Sequence, residues 1–135
     1  MQIESFLEES ARRAPDKVAL VCGSARRTYA ELDLEADRLA HAFVEMGVEH
    51  GDRVAICLEN GPEAVVSIFG ALKAGAVIVL VSPMTKSEKL GMLLEDSGAR
   101  VLVIADRKLE GVAKSLTRDA GLRTVLVVGA AMTRG

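Results

Sequence analysis

A chain of 135 residues, half of them hydrophobic, is long enough to bury a core without a disulfide or metal staple. Its 17 basic and 19 acidic residues are mixed along the chain and leave a net charge of −2, with one Tyr, three Phe and no Trp, so no basic stripe interleaved with aromatics is present to read nucleic acid. No apolar run reaches the length of a membrane span, and the opening MQIESFLEES lacks the basic region of a signal peptide, so the expected location is the cytoplasm.

Residues 3 to 14 set Ile3, Phe6, Leu7, Ala11 and Ala14 at helical spacing, and Pro15 stops that helix. Two short strands, Val18 to Cys22 and Arg26 to Tyr29, flank Gly23-Ser24-Ala25 and predict a small hairpin. Thr28 stands three residues before Glu31, the spacing at which hydroxyl and carboxylate each satisfy an orphan backbone N–H, and this opens a helix through Met46 that Gly47 closes. On that helix Leu32, Ala36, Leu39, Phe43 and Met46 share one face, and Asp37, Arg38, His41 and Glu45 another. His41 has a carboxylate four residues to either side, but a histidine on a solvated charged face accounts for it without a titrating role. His50, in the turn Glu49-His50-Gly51-Asp52, is read in the same way.

From Arg53 the pattern becomes regular. A strand Val54 to Leu58 leads to Asn60-Gly61-Pro62, which supplies a cap and a proline preset for the first helical turn. The helix Pro62 to Ala74 is apolar nearly all round, with Ala64, Val65, Val66, Ile68, Phe69, Ala71 and Leu72, and expects burial on more than one side. Gly75 stops it, and the unbroken run Ala76 to Val81 predicts a strand covered on both faces. Thr85 and Glu88 have the spacing of a second capping box, before a helix to about Ser97 and a stop at Gly98. A strand Val101 to Ile104, a helix from about Lys108 to Ala120 before Gly121, a strand Val125 to Val128 and a tail over residues 130–135 expected to fray complete the chain. The sum is an α/β fold in a single domain over residues 1–135: a parallel sheet of about four strands with right-handed crossover helices, preceded by a helix and a small β-hairpin. The order of the strands does not follow from the pattern.

Ligands of open parallel sheets bind beyond the carboxyl ends of the strands. The loops to inspect are therefore Glu59-Asn60-Gly61, Ser82 to Lys86, Ala105-Asp106-Arg107 and the tail after Val128. None is a phosphate cradle: there is neither a glycine-rich loop with a Lys-Ser/Thr pair nor a GxGxxG after a strand. No Ser/His/Asp set or GxSxG elbow exists, metal-ligand spacing is absent, and Cys22 and Cys57, both in predicted strands, read as buried reduced thiols. Asn60, Ser82, Thr85 and Lys86 remain as candidate ligand-edge residues. Helix capping is the simpler account of Asn60 and Thr85, and a solvated charge that of Lys86. No catalytic, cofactor-binding or metal residue is assigned.

Five short runs, Arg27-Thr28-Tyr29-Ala30-Glu31-Leu32, Gly51-Asp52-Arg53-Val54-Ala55-Ile56, Asn60-Gly61-Pro62-Glu63, Leu72-Lys73-Ala74-Gly75-Ala76-Val77 and Leu94-Glu95-Asp96-Ser97-Gly98-Ala99, together resemble the N-terminal region of AMP-forming acyl-CoA synthetases. Peptide-synthetase adenylation domains and luciferases belong to that superfamily. The resemblance implies a parent enzyme that joins a carboxylic acid to ATP as an acyl-adenylate, with magnesium, and passes the acyl group to the thiol of coenzyme A or a carrier protein. It also implies that the phosphate loop, the nucleotide-binding motifs, the magnesium ligand and the catalytic lysine lie beyond the region matched. Leu80 and Ser82 depart from the Pro and Asn of many relatives, which bears on the acyl-substrate subgroup rather than on the family. Every matched run here reads as scaffold.

The expectation is thus the N-terminal scaffold piece of an acid–thiol ligase, inactive by itself. The alternative is a free-standing, non-catalytic α/β ligand-binding or interaction module that shares the scaffold, since a fold does not set a function. A receiver-type signalling domain is disfavoured, because the middle strand ends in Ser82-Pro83 where that class needs an Asp. The all-round apolar helix from Pro62 predicts an exposed patch and a homo-oligomer.

Overall fold

In the computed structural model the described residues are 3–112 and 122–128. They fall into two compact units, one of residues 3–50 and 60–76, the other of residues 51–59, 77–112 and 122–128.

The first unit holds α1 (Ile3–Arg13), the hairpin β1 (Val18–Cys22) and β2 (Ala25–Thr28), α2 (Tyr29–Glu45) and α3 (Pro62–Lys73). Its hairpin is antiparallel, with Cys22 opposite Ala25 and a register irregularity between Val18 and Leu20. The Thr28–Glu31 capping box forms as the spacing predicts: the Glu31 N–H donates to Thr28 Oγ1 at 3.1 Å, and the Thr28 N–H donates to Glu31 Oε1 at 2.8 Å. Leu7, Leu32, Ala36 and Val66 make a core cluster joined by Leu39, Val65 and Phe69, so the apolar stripes of three helices close on one another. Gly70 eases that approach, because a Cβ there would stand 3.0 Å from Cβ and Cγ of Leu39, which would have to shift.

The second unit holds β3 (Arg53–Cys57), β4 (Val77–Leu80), α4 (Ser87–Ser97), β5 (Val101–Ala105), α5 (Asp106–Val112) and β6 (Thr124–Val128). The four strands form a wholly parallel sheet in the order β4-β3-β5-β6. Ala55, Cys57, Val81, Leu90, Leu94, Ala99, Leu102 and Ile104 form its core cluster, with α4 contributing Leu90 and Leu94 at helical spacing. Gly98 ends α4 in the left-handed region at φ 68°, where its N–H bonds back to Leu94 O and Glu95 O.

The α/β class, the parallel sheet, the first helix and the hairpin agree with the sequence expectation, and four local expectations need correction. The strand predicted to be covered on both faces, β4, lies at the edge of the sheet, with Val77 48% and Leu80 63% exposed. An apolar run does not distinguish a central strand from an edge strand, since strand order is a non-local property. The cap of α3 is Gly61, not Asn60, and makes no side-chain bond. The Thr85–Glu88 box does not form, because α4 begins at Ser87 with Lys86 at the cap, one residue later than that box requires. Finally, α3 presents no large apolar patch: its apolar residues are buried or half-buried and Glu63 is its one exposed residue. Of the predicted helix to Ala120 only the first turns are described, and Gly121 and the tail after Val128 lie outside the described residues.

Candidate carboxyl-edge site

Parallel strands deliver their carboxyl ends to one edge, and in the second unit Cys57 closes β3, Ala105 closes β5, and Ser82 and Pro83 follow β4. There a cleft of about 220 Å³ is lined by Cys57, Glu59, Pro83, Ala105, Arg107 and Lys108. The loop after β4 is held from several directions. Ser82 Oγ accepts from the Met84 N–H at 3.1 Å, Ser82 O accepts from the Thr85 N–H at 3.0 Å, and the Cys57 thiol reaches Ser82 O at 3.6 Å. Lys108 Nζ on α5 donates to Thr85 O at 3.0 Å and ties that loop to the end of β5. Arg107 pairs with Glu59 at the rim, both side chains well exposed, an arrangement that contributes little to stability.

Of the candidate residues, the structure brings Ser82 and Thr85 into this framework, but each acts through its carbonyl, and the Ser82 hydroxyl serves a turn within its own loop. Lys86 is exposed at the cap of α4, where its carbonyl accepts from the Leu90 N–H at 2.9 Å. Asn60 belongs to the first unit, is exposed, and its side chain bonds none of the described residues. The residues that line the cleft and that the sequence reading left without a role are Cys57, Arg107 and Lys108. All three loops there are among the carboxyl-edge loops of the sequence reading, but Cys57 looks like any buried strand thiol, and nothing in the chain order joins Lys108 to Thr85.

Burial pushes the Cys57 thiol above its ordinary range, and the nearby Lys108 ammonium only partly offsets this. Cys57 is therefore protonated at neutral pH and a poor nucleophile. Arg107 is engaged by Glu59 and Lys108 by Thr85 O, so the cations of the cleft are already partnered. The volume is below the usual range of small-ligand pockets, about 300–1,000 Å³. Among the described residues no group of three His, Cys, Asp or Glu side chains could hold a metal ion. These residues do not fit a nucleotide or its magnesium. What they build is a braced edge.

The most concentrated electrostatic feature lies elsewhere, in the first unit. Lys73 at the end of α3 has a side chain only 5% exposed, and its Nζ lies 3.0 Å from Glu8 Oε2 on α1 and 2.8 Å from Asp33 Oδ1 and from Asp37 Oδ1 on α2. Burial lowers its basicity, but bonds to Asp33, Asp37 and Glu8 outweigh that and raise its pKa. Such an ammonium stays charged and fastens three helices; it is no base or nucleophile. Beside it a groove of about 570 Å³ is lined by Glu4, Glu8, Asp37 and His41 among others.

Residues 7–134 match the family described as AMP-binding enzyme. The chain is 34% identical over 128 residues to a medium/long-chain-fatty-acid–CoA/3-oxocholest-4-en-26-oate–CoA ligase of Mycobacterium marinum, covering 95% of this chain and 23% of that protein. It is 40% identical over 125 residues to triostin synthetase I of Streptomyces triostinicus, covering 92% of this chain and 24% of that one. Among solved structures it is similar to a Mycobacterium tuberculosis fatty acyl CoA synthetase, with a TM-score of 0.86 at 26% identity over 94% of this chain and 26% of that chain. The chain thus spans about a quarter of the length of the proteins it resembles.

Proposed function

The chain belongs to the AMP-binding enzyme family, and from that premise we propose that it is the N-terminal scaffold of an AMP-dependent acid–thiol ligase. The parent enzyme activates a carboxylic acid with ATP and magnesium to an acyl-adenylate and forms a thioester with coenzyme A or a carrier protein, in the cytoplasm, within fatty-acid metabolism. The observation that carries this reading is a match over nearly the whole chain to only a quarter of a fatty-acid–CoA ligase. The 135 residues contain no glycine-rich loop with a Lys-Ser/Thr pair, and the two cations that line the carboxyl-edge cleft, Arg107 and Lys108, are committed to Glu59 and Thr85. Stabilising the charge that develops during adenylation needs preorganised donors. This chain is therefore silent by itself, with Asn60, Ser82, Thr85 and Lys86 as edge residues that meet ligand only in the whole enzyme.

ATP–pyrophosphate exchange across a panel of fatty, aryl and amino acids tests this. No exchange by the 135-residue chain is expected; measurable exchange with any acid overturns the reading. The homo-oligomer of this reading rests on the β4 edge, where Val77 and Leu80 are exposed, rather than on α3. Light scattering that gives a monomer mass at high concentration removes that part of the proposal.

A further inference from the structure

The amino-terminal edge of the sheet carries a feature with no part in the reading above. Val54 of β3 pairs with Val101 of β5, and Val101 pairs with Thr124 of β6. The residues one step before these are Arg53, Arg100 and Arg123. The ladder continues through them: the Arg100 N–H donates to Arg53 O at 2.8 Å, and the Arg123 N–H donates to Arg100 O at 2.8 Å. Arg53 opens β3, and Arg100 and Arg123 stand one residue before β5 and β6, so three arginines lie side by side at this end of the sheet, at a strand spacing of about 4.8 Å.

Like charges directly opposite one another across a ladder repel. No carboxylate neutralises this row, because none of the three guanidinium groups makes an ion pair among the described residues. Arg53 Nη1 donates to Ser97 O at 3.0 Å, which caps the carboxyl end of α4 and accounts for one of its five N–H groups. The side chains of Arg100 and Arg123 bond none of the described residues, and Arg53 and Arg123 are exposed. The concentration is local, since the chain as a whole is net negative.

We propose that this edge is an anion site for a diphosphate group. Guanidinium forks bind phosphoryl oxygens in bidentate fashion. Three forks in a row span roughly 10 Å from the strand spacing; one phosphate engages two of them at most, whereas two linked phosphoryl groups offer oxygens along the line. The site is at the end of the sheet opposite the carboxyl-edge cleft and does not depend on the adenylation reading.

The test titrates the 135-residue chain with inorganic pyrophosphate, ADP and orthophosphate at constant ionic strength, following backbone amide shifts. Pyrophosphate and ADP are expected to bind about tenfold or more tighter than orthophosphate, with shifts centred on residues 53, 100 and 123. Equal affinity for pyrophosphate and ADP assigns recognition to the diphosphate alone; tighter ADP adds nucleoside contacts to the same edge. Arg123→Gln, at an exposed position, should weaken pyrophosphate binding at least about threefold with an unchanged melting temperature, and Arg100→Gln with Arg123→Gln about tenfold. Orthophosphate binding as tightly as pyrophosphate, shifts centred elsewhere, or undiminished affinity in Arg123→Gln overturns the proposal. If the double variant does not fold, the single one decides.

Discussion

Replacing Lys73 by Met keeps most of its aliphatic volume and removes its charge. It leaves Glu8, Asp33 and Asp37, all within 3.0 Å of the missing ammonium, facing one another. Removing one partner of a buried pair costs about 3–5 kcal/mol. The carboxylates here are 23% to 48% exposed, so water and salt recover part of that, and a loss of about 2–3 kcal/mol is the working figure. Most of it is expected at Asp33, the least exposed of the three carboxylates, whose buried Oδ1 stands 2.8 Å from the ammonium. Urea denaturation of both proteins at neutral pH measures the difference. The pH dependence gives a second reading. Lys73 has a pKa raised above its unfolded value of 10.5, so its stabilisation is fully present below that pH and is lost as pH rises beyond it. The native protein should lose stability above about pH 10.5 by an increment that K73M lacks. A difference below about 0.5 kcal/mol at neutral pH would mean that the cluster is a surface network of little worth, and the reasoning fails.

Thr28→Ala removes the hydroxyl half of the capping box and should lower the melting temperature by about 3 °C. The backbone N–H of Thr28, and next its hydroxyl, hold the Glu31 carboxyl below its usual range, so this stabilisation is present above the unfolded pKa of 4.5 and fades as pH falls below it. The offset between T28A and the native protein should narrow as pH falls through that range without vanishing, because the bond from the Glu31 N–H to Thr28 Oγ1 does not titrate; an offset absent at neutral pH counts against the box. Gly75→Ala and Gly51→Ala both place a side chain at positive φ, 82° and 87°, each costing about 1–2 kcal/mol. Only at Gly75 does the new Cβ meet a neighbour, 2.7 Å from His50 Nδ1, so G75A should be the less stable and H50A should bring it to the level of G51A. Equal stabilities of G75A and G51A refute the contact. Under native conditions a thiol reagent should modify half-buried Cys22 first and Cys57 only as fast as the second unit opens; equal rates would show that Cys57 is accessible.

Much of the fold was legible because it rests on hydrogen bonds and sterics that act over a few residues. Thr28 and Glu31 bond across three positions, Gly98 reverses the chain at the helix end, and the spacing of Leu90 and Leu94 states which face of α4 is covered. The errors at Asn60 and Thr85 are one-residue errors of the same local kind, since several polar residues near a helix start compete for the cap. The loops around the carboxyl edge were found, but not the residues that brace them, because the bond from Lys108 to Thr85 joins segments 23 positions apart.

Periodicity, stops and caps along the chain were enough to determine the α/β class and the parallel sheet, and five short runs carried the resemblance to the family, for each is written in neighbouring residues. The tertiary structure alone decided that β4 is an edge, that Lys73 gathers carboxylates from two other helices, and that Arg53, Arg100 and Arg123 form one row. All three depend on which elements become neighbours. That choice is made by the burial of whole faces, and no local pattern encodes it.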